Sequence, residues 1–188
     1  MSSDPNRVGE IEHIQFVMVR QHLNDLPPVE LPEGFDIRTF RDGDIANWCR
    51  IETSVDEFSA VEHAERYFER EFGPQIELLS NRSFILETNA GEVIGTTTAW
   101  MGAFQGEPMG KIHWVAIEPA YQGKGLAKPL VAMALHRLAE DHQRAYLDTQ
   151  TTSYRAVGLY LKYGFEPVIE TESDRRAWAI VESLLAGR

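Results

Sequence analysis

The segment from Lys111 to Gln150 constrains the fold more than any other part of the chain. It begins with KIHWVAIE, a run of β-branched and aromatic residues typical of a strand. After a loop with two glycines, apolar residues recur at helical spacing from Leu126 to Ala139, and RAYLDTQ then reads as a buried strand. Because a strand, a helix and a strand in this order form a β-α-β unit, the segment predicts one parallel step in the sheet.

The remaining patterns predict mostly antiparallel strands. IEHIQFVMV and FDIRTF read as strands, and SFILETNAGEVIGTTTAWM reads as a hairpin with an Asn-Ala-Gly turn. Helices are predicted after caps at Asp42 or Asp44, over Val61–Phe72, over Tyr154–Tyr163 and after a cap at Asp174. The order of elements therefore predicts a mixed α/β (α+β) sheet with flanking helices, and not a doubly wound one.

Three segments are predicted along the 188 residues, which are enough for one hydrophobic core. Residues 1–34 form an N-terminal extension with a strand and a proline-rich linker, and Met1–Arg7 are expected to be disordered. Residues 35–169 form the central domain, and residues 170–188 form a C-terminal helix.

Composition and charge exclude several classes of function. The net charge of −11 argues against nucleic acid or an anionic membrane as the main partner. The single cysteine, Cys49, cannot form a disulfide framework, and we expect it to be a buried packing residue in a cytoplasmic protein. No metal-binding spacing of His and Cys is present, and the apolar run near the start is too short for a signal peptide or a membrane span.

The stretch AYQGKGLAKPL, from Ala120 to Leu130, predicts an anion-binding loop. The first amides of a helix lack internal partners, and the helix N-terminus carries partial positive charge. Gly123 and Gly125 allow a close approach of the backbone, and two lysines add charge. Proline is tolerated in the first helical turn, so Pro129 places the helix start between Gly125 and Lys128. A phosphate or diphosphate suits this site best.

The loop alone leaves the identity of the phosphate ligand open. It fails the Walker pattern, because Gly125 follows Lys124 where Ser or Thr is required. It fits two of the three glycines of a dinucleotide fingerprint, with Lys128 in the third position and Asp148 placed as a ribose-binding acid. A nucleotide-binding oxidoreductase therefore remains an alternative, although only 40 residues follow Asp148.

Two motifs resemble those of the Gcn5-related N-acetyltransferase (GNAT) family. Q-x-x-G-x-A, from Gln122 to Ala127, is similar to the acyl-CoA signature of that family, and WVAIEPAY before it looks like the central strand. AVGLYLKYGF, from Ala156 to Phe165, looks like the later A-x-x-L-Y-x-x-x-G-F segment. The resemblance covers about Phe35 to Ile169, and it departs from the family at Ser153, where Asn is common.

The resemblance implies a fold and a cosubstrate. Acetyl-CoA would lie between two splayed parallel strands, those of Val115 and Leu147. The backbone of Val115 and Ile117 would hold the pantetheine arm as an added strand. The diphosphate would bind to backbone amides, and Ser153, in the position of the usual Asn, would make a weaker side-chain contact to the cosubstrate or substrate. The residues of this diphosphate site are Gln122, Gly123, Lys124, Gly125, Leu126, Ala127 and Lys128.

The resemblance also implies roles for two side chains in direct acetyl transfer. Tyr160 matches the tyrosine that protonates the leaving thiolate. His113 is the candidate base, because strand alternation would place it on one face with Val115 and Ile117 and its ordinary pKa is near neutral. An acyl-CoA-binding module without turnover is the alternative for the same fold.

The acceptor site is expected around the helices that precede the hairpin. We predict that Glu52, Phe58, Glu87 and Trp100 bind the substrate, with Asp56 and Glu57 nearby. Acids close to aromatic rings suit a cationic amine, so a small-molecule or peptide amine is the expected partner. Glu52 and Glu87 are also alternative bases, and a pocket narrowed by Trp100 or Trp114 would exclude acyl chains longer than acetyl. The expected assembly is a monomer or a homodimer.

Overall fold

The computed structural model describes residues 11–187, which fall into two compact units. One unit is His22–Ala145, and the other combines the described residues of Met1–Gln21 and of Tyr146–Arg188. The predicted disorder of Met1–Arg7 lies outside the described residues. The organisation into an extension, a central domain and a terminal helix stays a prediction.

The order of strands and helices along the described residues is close to the order that the sequence patterns predict. The strands are β1 (Gln15–Arg20), β2 (Phe35–Thr39), β3 (Ser83–Thr88), β4 (Val93–Phe104), β5 (Glu107–Ile117), β6 (Ala145–Gln150) and β7 (Glu166–Pro167). The helices are α1 (Asp44–Ser54), α2 (Val61–Phe72), α3 (Leu79–Arg82), α4 (Ala127–Ala139), α5 (Tyr154–Lys162) and α6 (Glu172–Ala186). The predicted mixed α/β class is confirmed.

In the unit His22–Ala145, strands β2, β3, β4 and β5 pair side by side, each antiparallel to the next. A two-residue turn at Gln105 and Gly106, with φ of 51° and 80°, joins β4 to β5. Positive φ at both positions is the geometry of a type I′ hairpin. The sequence patterns did not predict this hairpin. The predicted hairpin segment ends at Met101, which would place Trp100 near a strand end, but β4 continues to Phe104 and Trp100 lies inside it.

A β-bulge interrupts the pairing of β4 with β5. Thr96 faces Ala116 and Thr98 faces His113, so two residues of β5 oppose one residue of β4. Trp114, inside the bulge, has φ of 54°, a conformation that a bulky side chain rarely adopts and that costs on the order of 1–3 kcal/mol. The bulge changes which side chains share a face of the sheet, and this matters at the candidate site.

Most helix boundaries follow the sequence, but two caps differ from prediction. α2 spans the predicted Val61–Phe72, and α4 begins at Ala127, inside the predicted window. The N-cap of α1 is Gly43 (φ 95°) and not an aspartate; Asp44 instead accepts a hydrogen bond from the Arg41 amide at 2.8 Å. Among residues 11–187, no helix is sufficiently long and apolar for a membrane crossing.

The other unit carries the later motif of the sequence analysis. Strands β6, β1 and β7 lie side by side, and β1 pairs antiparallel with β7 through Met18 opposite Pro167. α6 begins with a capping box in which the Thr171 hydroxyl accepts from the Asp174 amide at 3.1 Å. Thr171 is therefore the N-cap, and the predicted cap Asp174 is the third helical residue.

Candidate active site

The glycine loop, residues Gln122–Lys128, connects the end of β5 to α4. Gly123 and Gly125 have φ of 79° and 80°, which glycine adopts without strain. A Cβ at either position would have no protein atom within 4 Å. The backbone of the loop is therefore open on the side where a ligand would approach.

Five consecutive amides of the glycine loop are available for an anion. The Gln122 amide donates to the Pro119 carbonyl at 3.3 Å, and the Lys128 amide donates to the Gly125 carbonyl at 3.1 Å. The amides of Gln122 and Lys128 were predicted to bind the diphosphate, but both donate to carbonyl groups of the chain itself. The amides from Gly123 to Ala127 have no backbone acceptor among residues 11–187. They precede or open α4, whose N-terminus adds partial positive charge.

Side chains fix the glycine loop against the end of β5. The Gln122 amide Nε2 donates to the Ile117 carbonyl at 2.9 Å, so this predicted ligand residue acts through its side chain as a brace. The Lys124 ammonium lies 4.7 Å from the centre of the Tyr121 ring, and the Tyr121 hydroxyl donates to Glu92 at 2.7 Å. The loop is therefore held in shape before any ligand binds, which reduces the entropic cost of binding.

Four aromatic side chains from α1, α2, β5 and the α1–α2 connection form a second feature, here called the aromatic cluster: Trp48, Phe58, Tyr67 and Trp114. The centre of the Trp114 ring system lies 5.4 Å from that of Trp48, 5.3 Å from that of Phe58 and 5.0 Å from that of Tyr67. Trp48 is buried, whereas the other three rings are only partly buried. The cluster thus extends from the core to the surface. Trp48 and Tyr67 were not among the predicted substrate residues.

Glu52 is a buried carboxyl next to this cluster. It follows Trp48 by four residues, so both side chains leave the same face of α1. Its exposure is 1%, and its Oε1 has no hydrogen-bond partner within residues 11–187. Burial, together with the nearby charge of Glu57, raises the pKa of Glu52 well above its ordinary value. Glu52 was predicted to lie at the acceptor site, and in the structure it shares a face of α1 with Trp48, one member of the cluster.

His113 faces α2 and not the side of Ile117. Its ring centre lies 6.0 Å from that of Phe72, and its Nε2 is 3.5 Å from Glu71 Oε1, outside hydrogen-bond geometry. Ala116 packs in the same core as Phe72, so Ile117, the next residue, points to the opposite face. The prediction that His113 shares a face with Val115 and Ile117 is wrong, because the bulge at Trp114 breaks the alternation.

Burial also changes the acid–base character of His113. Desolvation, with a smaller contribution from Lys111, lowers the pKa of His113 to about 3. The ring is therefore neutral at physiological pH, but it is a much weaker base than the ordinary histidine assumed from the sequence.

The variant His113→Phe should be less sensitive to mild acid than the parent chain. Unfolding restores the ordinary pKa of 6.5, so the unfolded chain binds a proton that the folded chain resists down to about pH 3. The contribution of neutral His113 to the free energy of unfolding is therefore fully present above pH 6.5. It is lost as the pH falls, by about 2 kcal/mol between pH 6.5 and pH 5. Urea unfolding at both pH values should show that this loss is smaller in His113→Phe. His63→Phe, at an exposed site, should lose as much as the parent; equal losses in all three proteins would contradict the assignment.

The other residues of this unit that were singled out from the sequence have different environments. Trp100 lies in the core beside the cluster, with its ring centre 5.1 Å from that of Phe72. Glu87 is not brought to the cluster, because Arg38 holds it at 2.7 Å and also holds Asp44 at 2.6 Å. Cys49 is fully buried, and burial raises its pKa to about 11, so it is a packing residue as expected and not a thiolate nucleophile.

Tyr160 and Ser153 belong to the unit that contains β1, β6 and β7. Tyr160 is in α5, is 7% exposed and has its ring centre 6.0 Å from that of Phe165. Ser153 precedes α5 and makes no side-chain cap on it. Their roles toward a cosubstrate stay predictions.

Comparison with known families places these features in context. A family model described as "Acetyltransferase (GNAT) family" matches residues 45–165, inside the predicted central domain. A "Mycothiol acetyltransferase" from Kytococcus sedentarius is 31% identical over 159 residues, which cover 79% of this chain and 51% of the relative. The chain thus spans about half the length of the curated relatives it matches.

Solved structures share the fold. A GCN5-related N-acetyltransferase from Sphaerobacter thermophilus superposes with a TM-score of 0.64 at 23% identity, covering 83% of this chain and 49% of that one. An acetyltransferase from Clostridium acetobutylicum, solved with acetyl-CoA, has a TM-score of 0.56 at 21% identity and covers 73% of this chain and 93% of its own.

Proposed function

Because this chain belongs to the GNAT acetyltransferase family, we propose that it transfers an acetyl group from acetyl-CoA to an amine. The observation that carries the proposal is the glycine loop, where five amides without a backbone acceptor among residues 11–187 and two glycines with open space meet at the start of α4. A diphosphate fits such a site, because it accepts hydrogen bonds from backbone amides and its charge is favoured by the helix dipole. The family match also argues against the alternative that this chain is a nucleotide-binding oxidoreductase.

The residues that would hold acetyl-CoA follow from this fit. The amides of Gly123 to Ala127 would bind the diphosphate, and Lys124 would add charge beside it. The backbone of Val115 and Ile117 would bind the pantetheine arm. Val115 lies in the bulge without a partner residue on β4, which frees its position from the regular ladder. The predicted splay between the strands of Val115 and Leu147, and the contact to Ser153, stay predictions.

Side chains of this protein would accept one proton from the amine and donate another to the departing sulfur. Acetyl-CoA, when bound, supplies the acetyl group as a thioester. The attacking amine, with a pKa near ~10 as a free alkylamine, must lose a proton, and the departing sulfur must gain one. Tyr160 would donate to the sulfur. His113 is neutral and so able to accept a proton, but its low pKa makes it a weak acceptor; the raised pKa of Glu52 makes that carboxyl a better-matched base.

The acceptor is proposed to be a small-molecule amine. The relative from Kytococcus sedentarius is named for a thiol, mycothiol, so compounds that carry both an amine and a thiol belong among the candidates. Preference for acetyl over longer acyl groups, which Trp100 and Trp114 would impose, remains a prediction. The cytoplasmic location, the absence of a nucleic-acid or membrane partner, and an oligomeric state of monomer or homodimer also remain predictions.

Two measurements test the proposal. Calorimetry should detect binding of CoA and none of NAD. Incubation with acetyl-CoA and a panel of amines should then yield an acetylated product by mass spectrometry, a readout that thiol-bearing acceptors do not disturb. Blanks without amine correct for spontaneous hydrolysis. Binding without any acetylated product would favour the acyl-CoA-binding module, and no binding of CoA would overturn the proposal.

A further inference from the structure

Glu52 lacks the partner that a buried carboxyl normally has. It is 1% exposed, its Oε1 accepts no hydrogen bond, and no Lys, Arg or His of residues 11–187 forms an ion pair with it. Burying a carboxylate without a partner costs several kcal/mol. By contrast, Asp44 on the same helix is equally buried but is held by Arg38 and by the Arg41 amide. The two acids therefore differ in environment, because Asp44 has partners within the chain and Oε1 of Glu52 has none among the described residues.

The aromatic cluster beside Glu52 offers ring faces to a cation. Phe58, Tyr67 and Trp114 are partly buried, and the Arg70 guanidinium lies over the Tyr67 ring, 5.0 Å from its centre. Ring faces attract ammonium groups, more strongly where water is excluded. Trp114 belongs to this cluster and lies in the bulge, with a backbone φ of 54°.

We propose that Glu52 and the aromatic cluster form the acceptor subsite and bind the substrate's amino group as an alkylammonium cation. This inference rests on the proposed function and specifies its substrate class: primary alkylamines, which are protonated at neutral pH, as opposed to arylamines or alcohols. The bound ammonium would supply the missing partner of the carboxylate. The negative charges of Asp56 and Glu57 nearby would disfavour acceptors with a carboxylate next to the amine.

Direct binding tests the subsite without any acetyl transfer. The probes are 2-phenylethylamine and its neutral analogue 2-phenylethanol, titrated while the fluorescence of the cluster tryptophans is recorded. The parent chain should bind the ammonium about tenfold more tightly than the alcohol. Glu52→Gln, which keeps the shape and removes the charge, should bind both probes about equally.

The control is Glu69→Gln, which removes one negative charge from the exposed face of α2. It should retain the preference for the ammonium, and circular dichroism should show that both variants are folded. The proposal is overturned if Glu52→Gln keeps the tenfold preference, or if the parent chain binds neither probe. A chain that binds the ammonium through Glu52 but gives no acetylated product would contradict the proposed function alone.

Discussion

Replacing Gly125 by alanine should raise the Kd for CoA by about 100-fold. In the free protein the new methyl group meets no described atom within 4 Å, so the variant carries only the strain of the left-handed backbone and no steric clash. The same methyl group would occupy the space in which the diphosphate must approach the amides of the glycine loop. Losing two hydrogen bonds to a charged group, at about 1.5 kcal/mol each, amounts to about 3 kcal/mol, or roughly 100-fold. Calorimetry with CoA measures the change directly.

Gly91 provides a matched control for Gly125. It has φ of 83°, close to the 80° of Gly125, and also has open space at its Cβ position, but it lies in the turn between β3 and β4. Gly91→Ala and Gly125→Ala should therefore lose similar stability, about 1–2 kcal/mol, from the left-handed backbone. Only Gly125→Ala should lose affinity for CoA. Equal affinity in the two variants would place the diphosphate elsewhere.

The glycine loop was predictable because its properties are local. The helix start, the two glycines and the lysines lie within seven consecutive residues, and no distant partner is needed to define the backbone donors. Even here the structure corrects the detail, because Gln122 and Lys128 use their amides inside the chain. α2 was predicted to its boundaries for a similar reason, since a continuous helical periodicity ends at Gly73 and Pro74.

The acceptor side was less predictable because it depends on contacts between distant residues. Trp48 and Trp114 meet across 66 positions of sequence, and nothing local to either residue indicates the contact. The bulge is a property of the register between β4 and β5, whereas HWVAI by itself reads as a regular strand. Treating HWVAI as a regular strand placed His113 on the wrong face of the sheet. Likewise, the ordinary pKa of histidine gave no sign that burial would lower it.

Glu87 shows why an acid cannot be assigned to a site by residue type alone. Glu52 and Glu87 were predicted together as substrate residues and as alternative bases. In the structure Glu87 pairs with Arg38, which also holds Asp44, whereas no cation in the described part of the chain pairs with Glu52. The presence or absence of a partner is decided by tertiary packing, and it separates a carboxyl that stabilises the fold from one that is available to a ligand.

Replacing Tyr160 by phenylalanine should lower kcat by roughly 10²–10⁴-fold while leaving the Kd for CoA unchanged. A placed proton donor contributes a factor of this size, and only the hydroxyl is lost. The ring, which is 7% exposed and packs against Phe165, is retained, so the variant should fold and bind the cosubstrate normally. Steady-state rates of acetylated product, with calorimetry for CoA, separate the two quantities.

Tyr154 is the control for this variant, because it is a second buried tyrosine of α5, with 8% exposure. If the effect belonged to tyrosine packing on this helix, Tyr154→Phe would lower kcat as much as Tyr160→Phe. We expect its kcat to be unchanged. Full turnover in Tyr160→Phe would make Tyr160 a packing residue and would require another proton donor for the leaving sulfur.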